Sequence, residues 1–413
     1  MGKQRMRSED SWVRKTAIFL ISQTVSLFGS SVVGFSIVWH ITLETSSGMM
    51  MTIGTLCNFL PQIAISLFAG VWADRYSRKR LIMLSDACVA IFTLGLALFY
   101  LRGNTDLRLV FFVLAMRSLF SGIQAPAVSA ILPQIVPKEK LLRVNALNTT
   151  VTSVMTLLSP AVGGALLGAF GFGYSLLVDT TTALLAIAIL CRLSVPPQPR
   201  QRIAVTPFVD LLDGLRYIQQ DAFLRSLVIF YGISFFLITP AAFLTPLLVE
   251  RSFGAEVWRL TANEMLWSFG SVLGGIIVSL WGGFRNRVFS IGFALVAFGI
   301  TFLLLGVMRS FGLYLVIMAV SGAFLPLFSS AEIALVQEKV PADMLGRVSS
   351  LLQLCASVVM PVGMLLFGPL ADLVSVQLLL ILSGVLIAML GILILRSRRL
   401  LAFDQAENGE SNV

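Results

Sequence analysis

Twelve apolar stretches, each long enough to cross a lipid bilayer, constrain this 413-residue chain more than any other feature. They lie near residues 15–43, 48–72, 80–101, 107–135, 141–170 and 174–193, and again near 222–249, 260–281, 287–307, 310–337, 343–370 and 374–395. A crossing takes about 20 largely apolar residues, and an isolated segment in lipid must satisfy its own backbone hydrogen bonds, so each stretch is expected to be a helix. Runs such as 176–193 and 377–395 lack the alternating polarity of a membrane barrel. Only 12% of the residues are charged and 57% are hydrophobic, whereas a soluble protein carries about 25% charged residues. Soluble enzymes and nucleic-acid-binding modules are thereby excluded, and the formal charge of +9 has to be read by position.

Position makes the charge informative. Of the 30 Lys and Arg residues, 23 fall in the tails and in the connections on the side of the N-terminus; five (Arg102, Arg108, Arg251, Arg259 and Arg309) fall on the other side. Cytoplasmic connections carry the basic excess, so both termini are expected in the cytoplasm of a multi-pass cell-membrane protein. Trp39, Trp72, Trp258 and Trp281 fall at span ends, where an amphipathic ring prefers the lipid interface, and His40 is read the same way. The polar start of the chain is followed by a run long enough to span, which argues against a cleaved signal peptide. Cys57, Cys88, Cys191 and Cys355 each sit in an apolar run without metal-ligand spacing. They are expected to be packing residues, and neither a metal nor a cofactor is expected.

The longest polar connection, 194–221, contains four prolines and divides the chain into halves 1–193 and 222–396, followed by a tail at 397–413. Its segment 208–219 has helical spacing suited to a membrane surface. VPKEKLLRV at 136–144 matches VPADMLGRV at 340–348 in five of nine positions, 204 residues on. Repeated halves of this kind are a mark of secondary transporters.

Residues 70–80 read GVWADRYSRKR. This resembles the loop signature of the major facilitator superfamily, G-x-L-x-D-R-x-G-R-R, with serine at 77 in place of glycine. The resemblance implies an all-α membrane fold of twelve transmembrane helices in two pseudo-symmetric six-helix halves. It also implies a gating loop of Gly70, Asp74, Arg75, Arg78, Lys79 and Arg80. In that loop Gly70 would allow close helix approach, Asp74 would sit at the N-terminus of the eleventh span, and Arg78 would pair with Asp86. The second-half counterpart, Gly282, Gly283, Arg285, Asn286 and Arg287, lacks the acid.

Arg117 lies about ten residues into the fourth span, hence about 15 Å deep, where a guanidinium must face a wet cavity or a carboxylate. With Pro126 and Ala127 after it, Arg117 resembles the fourth-helix signature of drug-efflux members, in which the arginine serves coupling. SPAVGG at 159–164, with Gly168, resembles the antiporter signature. Pro160, Gly163, Gly164 and Gly168 are expected to form a bent, small-faced pivot against Gly270 and Gly274. SQTVSLFGS at 22–30 is similar to the opening of macrolide-efflux-like members.

That branch implies export of hydrophobic or amphipathic small molecules by alternating access in exchange for protons. Siderophore or lipid-like cargo, and a proton-independent facilitator, remain open as alternatives. Proton carriers must be carboxylates or histidine. Glu332 is the first choice, with Asp179 and Glu264 behind it. Gln23, Asn58, Gln62, Gln124, Asn148 and Gln353 are the polar residues available to line a cavity among 30 phenylalanines and 15 methionines. The expected partners are therefore a small molecule, protons and the bilayer, with no role for nucleic acid.

Overall fold

The computed structural model describes residues 2–195, 207–341 and 344–396, with the side chains of 2–11, 67, 71, 74 and 207–212 excepted. The proline-rich part of the expected linker, 196–206, and the tail at 397–413 lie outside the described residues. Among the described residues fourteen α-helices follow one another: α1 (Gly2–Thr45), α2 (Gly48–Arg75), α3 (Arg78–Leu101), α4 (Leu107–Ile135), α5 (Leu141–Phe170), α6 (Phe172–Cys191), α7 (Pro207–Gln220), α8 (Ala222–Phe243), α9 (Thr245–Phe253), α10 (Val257–Trp281), α11 (Arg287–Val307), α12 (Phe311–Lys339), α13 (Leu345–Leu373) and α14 (Val376–Arg396). Twelve spans among the described residues are long and apolar enough to cross a membrane, with α8 and α9 together forming the seventh.

Local chemistry sets the boundaries. Asp106, Asp221 and Asn286 stand before α4, α8 and α11, and their side chains accept from backbone N–H groups of the first turn. Glycines with positive φ end several helices, including Gly171 at +81° between α5 and α6 and Gly282 at +82° after α10. The seventh apolar stretch breaks at Leu244 because Pro240 and Pro246 flank it, so one expected helix becomes two. The segment expected to be a surface helix is α7, and its Gly214 lies against Arg347 and Leu351 of α13.

The chain forms two compact units. The first comprises Met1–Glu44 and Ile53–Arg202, and the second Thr45–Thr52 and Ile203–Val413. In the first, α3 packs between α4 and α6, and one buried cluster joins Phe19, Ile82, Ile131, Ile135 and Leu190. In the second, α11 packs on α14 and α12, while α10 packs on α12. The α11–α14 seam is made by glycine: a Cβ on Gly299 would stand 2.5 Å from the Gly384 carbonyl oxygen and the Ala388 nitrogen. Outward faces keep large apolar side chains such as Leu142, Leu280 and Leu373, as helices in lipid should.

Two expectations about aromatic placement are corrected. Trp39 is fully buried, packing on Phe35, and does not sit at an interface. His40 is buried as well: its ring stacks on Phe172 at 3.8 Å, and its Nε2 lies 3.1 Å from the Tyr100 hydroxyl. Tyr100 of α3 and Phe172 of α6 cover the His40 ring and remove it from lipid.

Candidate functional site

A string of polar side chains runs through the interior of the first unit. Arg117 of α4, 7% exposed, forms an ion pair with Asp179 of α6, 1% exposed. Arg117 Nη1 also donates to Thr93 Oγ1 of α3 at 2.6 Å, and Nη2 donates to the Ser30 carbonyl of α1 at 3.3 Å. Both oxygens of Asp179 are occupied, since Ser30 Oγ donates to Oδ1 at 2.9 Å and Thr93 Oγ1 donates to Oδ2 at 3.2 Å. Four helices thus meet on one salt bridge, as a deep arginine requires. Gly29 makes the approach possible: a Cβ there would overlap Thr182 Oγ1 of α6.

Farther along α3 and α4 the string continues with Asp86 and Gln124. Ser26 Oγ and Gln124 Nε2 both donate to Asp86 Oδ1, at 2.7 and 2.9 Å. The expected Arg78–Asp86 pair is therefore corrected. Both residues lie on α3, eight positions apart, so the rise between them is about 12 Å and the side chains cannot meet. Arg78 instead donates to the carbonyls of Ala73 and Ala130, at 3.1 and 2.6 Å.

The rest of the loop motif divides. Lys79 Nζ donates to the carbonyls of Cys191 and Leu193, at 2.8 and 2.7 Å, so a cation caps the end of α6. Arg75 and Arg80 are exposed, and the Asp74 side chain lies outside the described residues. The close approach expected at Gly70 is corrected too, because a Cβ there would meet nothing within 4 Å at the exposed end of α2.

Of the cavity candidates, Gln124 joins Asp86, and Gln23 lies one turn before Ser26 on the same face of α1. Asn58 and Gln62 are exposed on α2, where their backbones bond Ser118 of α4 at 2.5 and 3.1 Å. Asn148 is half-buried on α5, and Gln353 is exposed on α13. On α5 the pivot residues Pro160, Gly163 and Gly164 are buried and Gly168 is exposed; a Cβ on Gly163 would stand 3.0 Å from the Val32 carbonyl oxygen of α1. Gly270 and Gly274 of α10 pack within the second unit: a Cβ on either would run into the carbonyl oxygen of Ala319 or Ala323 on α12.

In the second unit Glu332 lies on α12 and Tyr231 on α8. Both line a narrow apolar slot with Phe223, Phe230 and Phe328. Glu264 is half-buried on α10, accepting from Asn263 Nδ2 at 3.2 Å. Sequence reasoning missed a further cluster in this unit. Asp372, at the end of α13, accepts from Ser47 Oγ and from the N–H groups of Gly48 and Met49, at 2.7–2.9 Å, and so caps α2. Arg251 of α9 donates to Asp372 Oδ1 at 2.9 Å and to the Ser46 and Ala371 carbonyls at 2.5 Å. A Ser-Ser-Gly turn ahead of an apolar run was the available signal for such a helix start.

A profile of the Major Facilitator Superfamily matches residues 19–288. The chain belongs to the Major Facilitator Superfamily. It is therefore a multi-pass membrane transporter of the secondary type and not an enzyme. It is 26% identical over 393 residues to macrolide efflux protein A of Streptococcus pyogenes, covering 94% of this chain and 96% of that one. It is 25% identical over 343 residues to the enterobactin exporter EntS of Salmonella typhi, covering 81% and 80%. Among solved structures it resembles a bacterial homologue of the human lysosomal transporter Spinster in an inward-facing, unoccupied conformation. That match has a TM-score of 0.70 at 14% identity and covers 96% of this chain and 98% of that one. The nucleoside transporter NupG matches with a TM-score of 0.69 at 15% identity, covering 93% and 99%. At those identities the likeness concerns the fold. The facilitator fold of twelve spans is thus what the loop motif implied.

Proposed function

We propose that this transporter exports hydrophobic or amphipathic small molecules, of the macrolide kind, across the cytoplasmic membrane in exchange for protons, with both termini in the cytoplasm. The observation that carries this reading is the similarity to macrolide efflux protein A along nearly the whole of both chains. The distribution of Lys and Arg supports the orientation. A proton entering down a potential of 100 mV, negative inside, contributes about 2.3 kcal/mol to uphill export. Glu332 is the foremost carrier in the second unit, since its carboxyl shares a slot with Tyr231 and aromatic rings that suit an amphipathic solute. Glu264 stands behind it. The Arg117–Asp179 pair fixes the charge around which the first unit's helices move, and the 70–80 loop serves as the gate.

A second reading, export of a siderophore-like catechol, is supported by the similarity to the enterobactin exporter. Proteoliposomes loaded by an imposed pH gradient test both readings. Accumulation of a labelled macrolide that collapses when the gradient is dissipated, and falls in Glu332→Gln, is the expected outcome. Accumulation of the catecholate alone selects the second reading. Flux of either compound that ignores the gradient excludes antiport.

A further inference from the structure

The buried string in the first unit holds two carboxylates and one guanidinium. Arg117 and Asp179 neutralise each other, and both oxygens of Asp179 have donors. Asp86 is 3% exposed, and its hydrogen bonds come only from the neutral groups of Ser26 and Gln124, both onto Oδ1. Its Oδ2 is buried with no hydrogen-bond partner. Gln23 Nε2, one turn before Ser26 on α1, is likewise buried and unpartnered. Among the described residues no cation donates to either oxygen of Asp86. On the helices packed against α3, the charged groups are Arg108 in the first turn of α4, Arg117 farther along α4 and Asp179 on α6. Near one end of α3 lies the Tyr100 and His40 pair; near the other lie Arg78, bonded to the Ala73 and Ala130 carbonyls, exposed Arg80, and Lys79, which is spent on the α6 carbonyls. Among the described residues α1 brings Ser22, Gln23, Ser26 and Ser30 to this level and no titratable group.

A bare carboxylate oxygen in a low-dielectric interior is the costliest arrangement a carboxyl can take, whereas a carboxylic acid is neutral and keeps Oδ1 as the acceptor for Ser26 and Gln124. We propose that Asp86 is a proton-binding site and carries its proton on Oδ2 in the conformation described here. Loading forms one O–H bond on Oδ2 with a proton taken from water, and release returns that proton to water. Protonation stands on the local geometry alone; its role in transport rests on the antiport reading above.

Infrared spectroscopy of the full-length protein in nanodiscs tests the site directly. The wild type is expected to show a carboxylic-acid C=O band at neutral pH that Asp86→Asn lacks. Identical carboxylic-acid bands in the two proteins overturn the proposal. Asp86→Glu, which keeps an acid, is expected to move that band, so that the assignment can be made even if Asp86→Asn does not reach the membrane; an unmoved band overturns it. In proteoliposomes at 100 mV, Asp86→Asn is expected to lower gradient-driven accumulation by on the order of 50-fold, one proton's share, while exchange of labelled for unlabelled substrate persists. Wild-type accumulation in Asp86→Asn overturns the coupling role. A wild type indifferent to the gradient refutes antiport and leaves the infrared result standing.

Discussion

The two units are copies of one plan, yet their interiors are built from different chemistry. The position 204 residues after Arg117 is Ser321, and the one 204 after Asp179 is Ser383, both buried. Where Arg117 bonds Thr93 in the first unit, Ser321 accepts from Thr301 in the second, at 3.0 Å. Ser383 turns back on its own helix, donating to the Leu380 carbonyl at 3.1 Å. The same helices therefore pack around an ion pair in one unit and around hydroxyls and glycines in the other. Folding this plan does not require buried ions, and a buried pair is in general weak evidence for stability. The second copy shows how such a seam closes without charges, which is in keeping with the transport role proposed for those of the first unit.

The largest effect should come from breaking that pair on one side. Arg117→Ser leaves Asp179 buried and uncompensated, and Asp179→Ser does the same to Arg117; each should cost about 3–5 kcal/mol of stability. Arg117→Ser with Asp179→Ser imports the second unit's residues at both places and should cost less than either single change. Thermal unfolding in detergent measures all three, and a double-mutant cycle isolates the coupling. A double variant as unstable as the sum of the singles would show that the units are not interchangeable in packing. Substrate accumulation should be lost in the double variant even though it folds, which separates the ionic role from the structural one.

The second unit does hold a charged cluster, but at its rim. Asp372 and Arg251 are 29% and 30% exposed at their side chains, and Asp372 takes four donors, counting Ser47, Gly48, Met49 and Arg251. Asp372→Asn keeps the size of the side chain and removes the charge from a helix start. We expect a loss of roughly 1.5–3 kcal/mol, as for hydrogen bonds to a charged group, that shrinks as salt rises because the wild-type pair meets solvent and is screened. Amide exchange at Gly48 and Met49 reports it: both N–H groups should exchange faster in the variant while the α11–α14 seam stays protected. Uniform loss of protection across the second unit would mean that this cluster holds more than the start of α2.

Much of the fold could be read from the chain because membrane insertion ties helix length to apolar run length. The bounds of α4, α5 and α11 coincide with the expected 107–135, 141–170 and 287–307. Contacts within the site were harder to read. The Arg117–Asp179 pair was legible in principle: both helices start at the same membrane face, and the two residues lie about 15 and 10 Å from those starts, within the reach of an arginine. Recognition of a loop motif drew Asp86 toward Arg78 instead, although both lie on one helix. Hydrophobicity could not show that Trp39 and His40 are buried, because lipid and core attract the same rings. The capping of α2 by Asp372 joins residues more than 320 positions apart, and no local pattern encodes such a partner.

The smallest expected effect concerns glycine, which the second unit uses where the first uses charge. Gly299 is buried, and a Cβ there would stand 2.5 Å from backbone atoms of α14 that cannot rotate away. Gly299→Ala must therefore push α11 and α14 apart, opening gaps along the seam, and overpacking of this kind costs about 1–3 kcal/mol. Gly95, on α3 in the first unit, is exposed, and a Cβ there meets nothing within 4 Å. Gly95→Ala should be neutral or should gain roughly 0.5–1 kcal/mol through the lower backbone entropy of alanine. The same substitution thus has opposite signs in the two units, measurable as a fall and a small rise in unfolding temperature under one detergent condition. Equal falls would place an unseen neighbour against Gly95. Equal neutrality would mean that the α11–α14 seam slides without loss, and the contrast between an ionic first unit and a glycine-closed second would then rest on Arg117 and Asp179 alone.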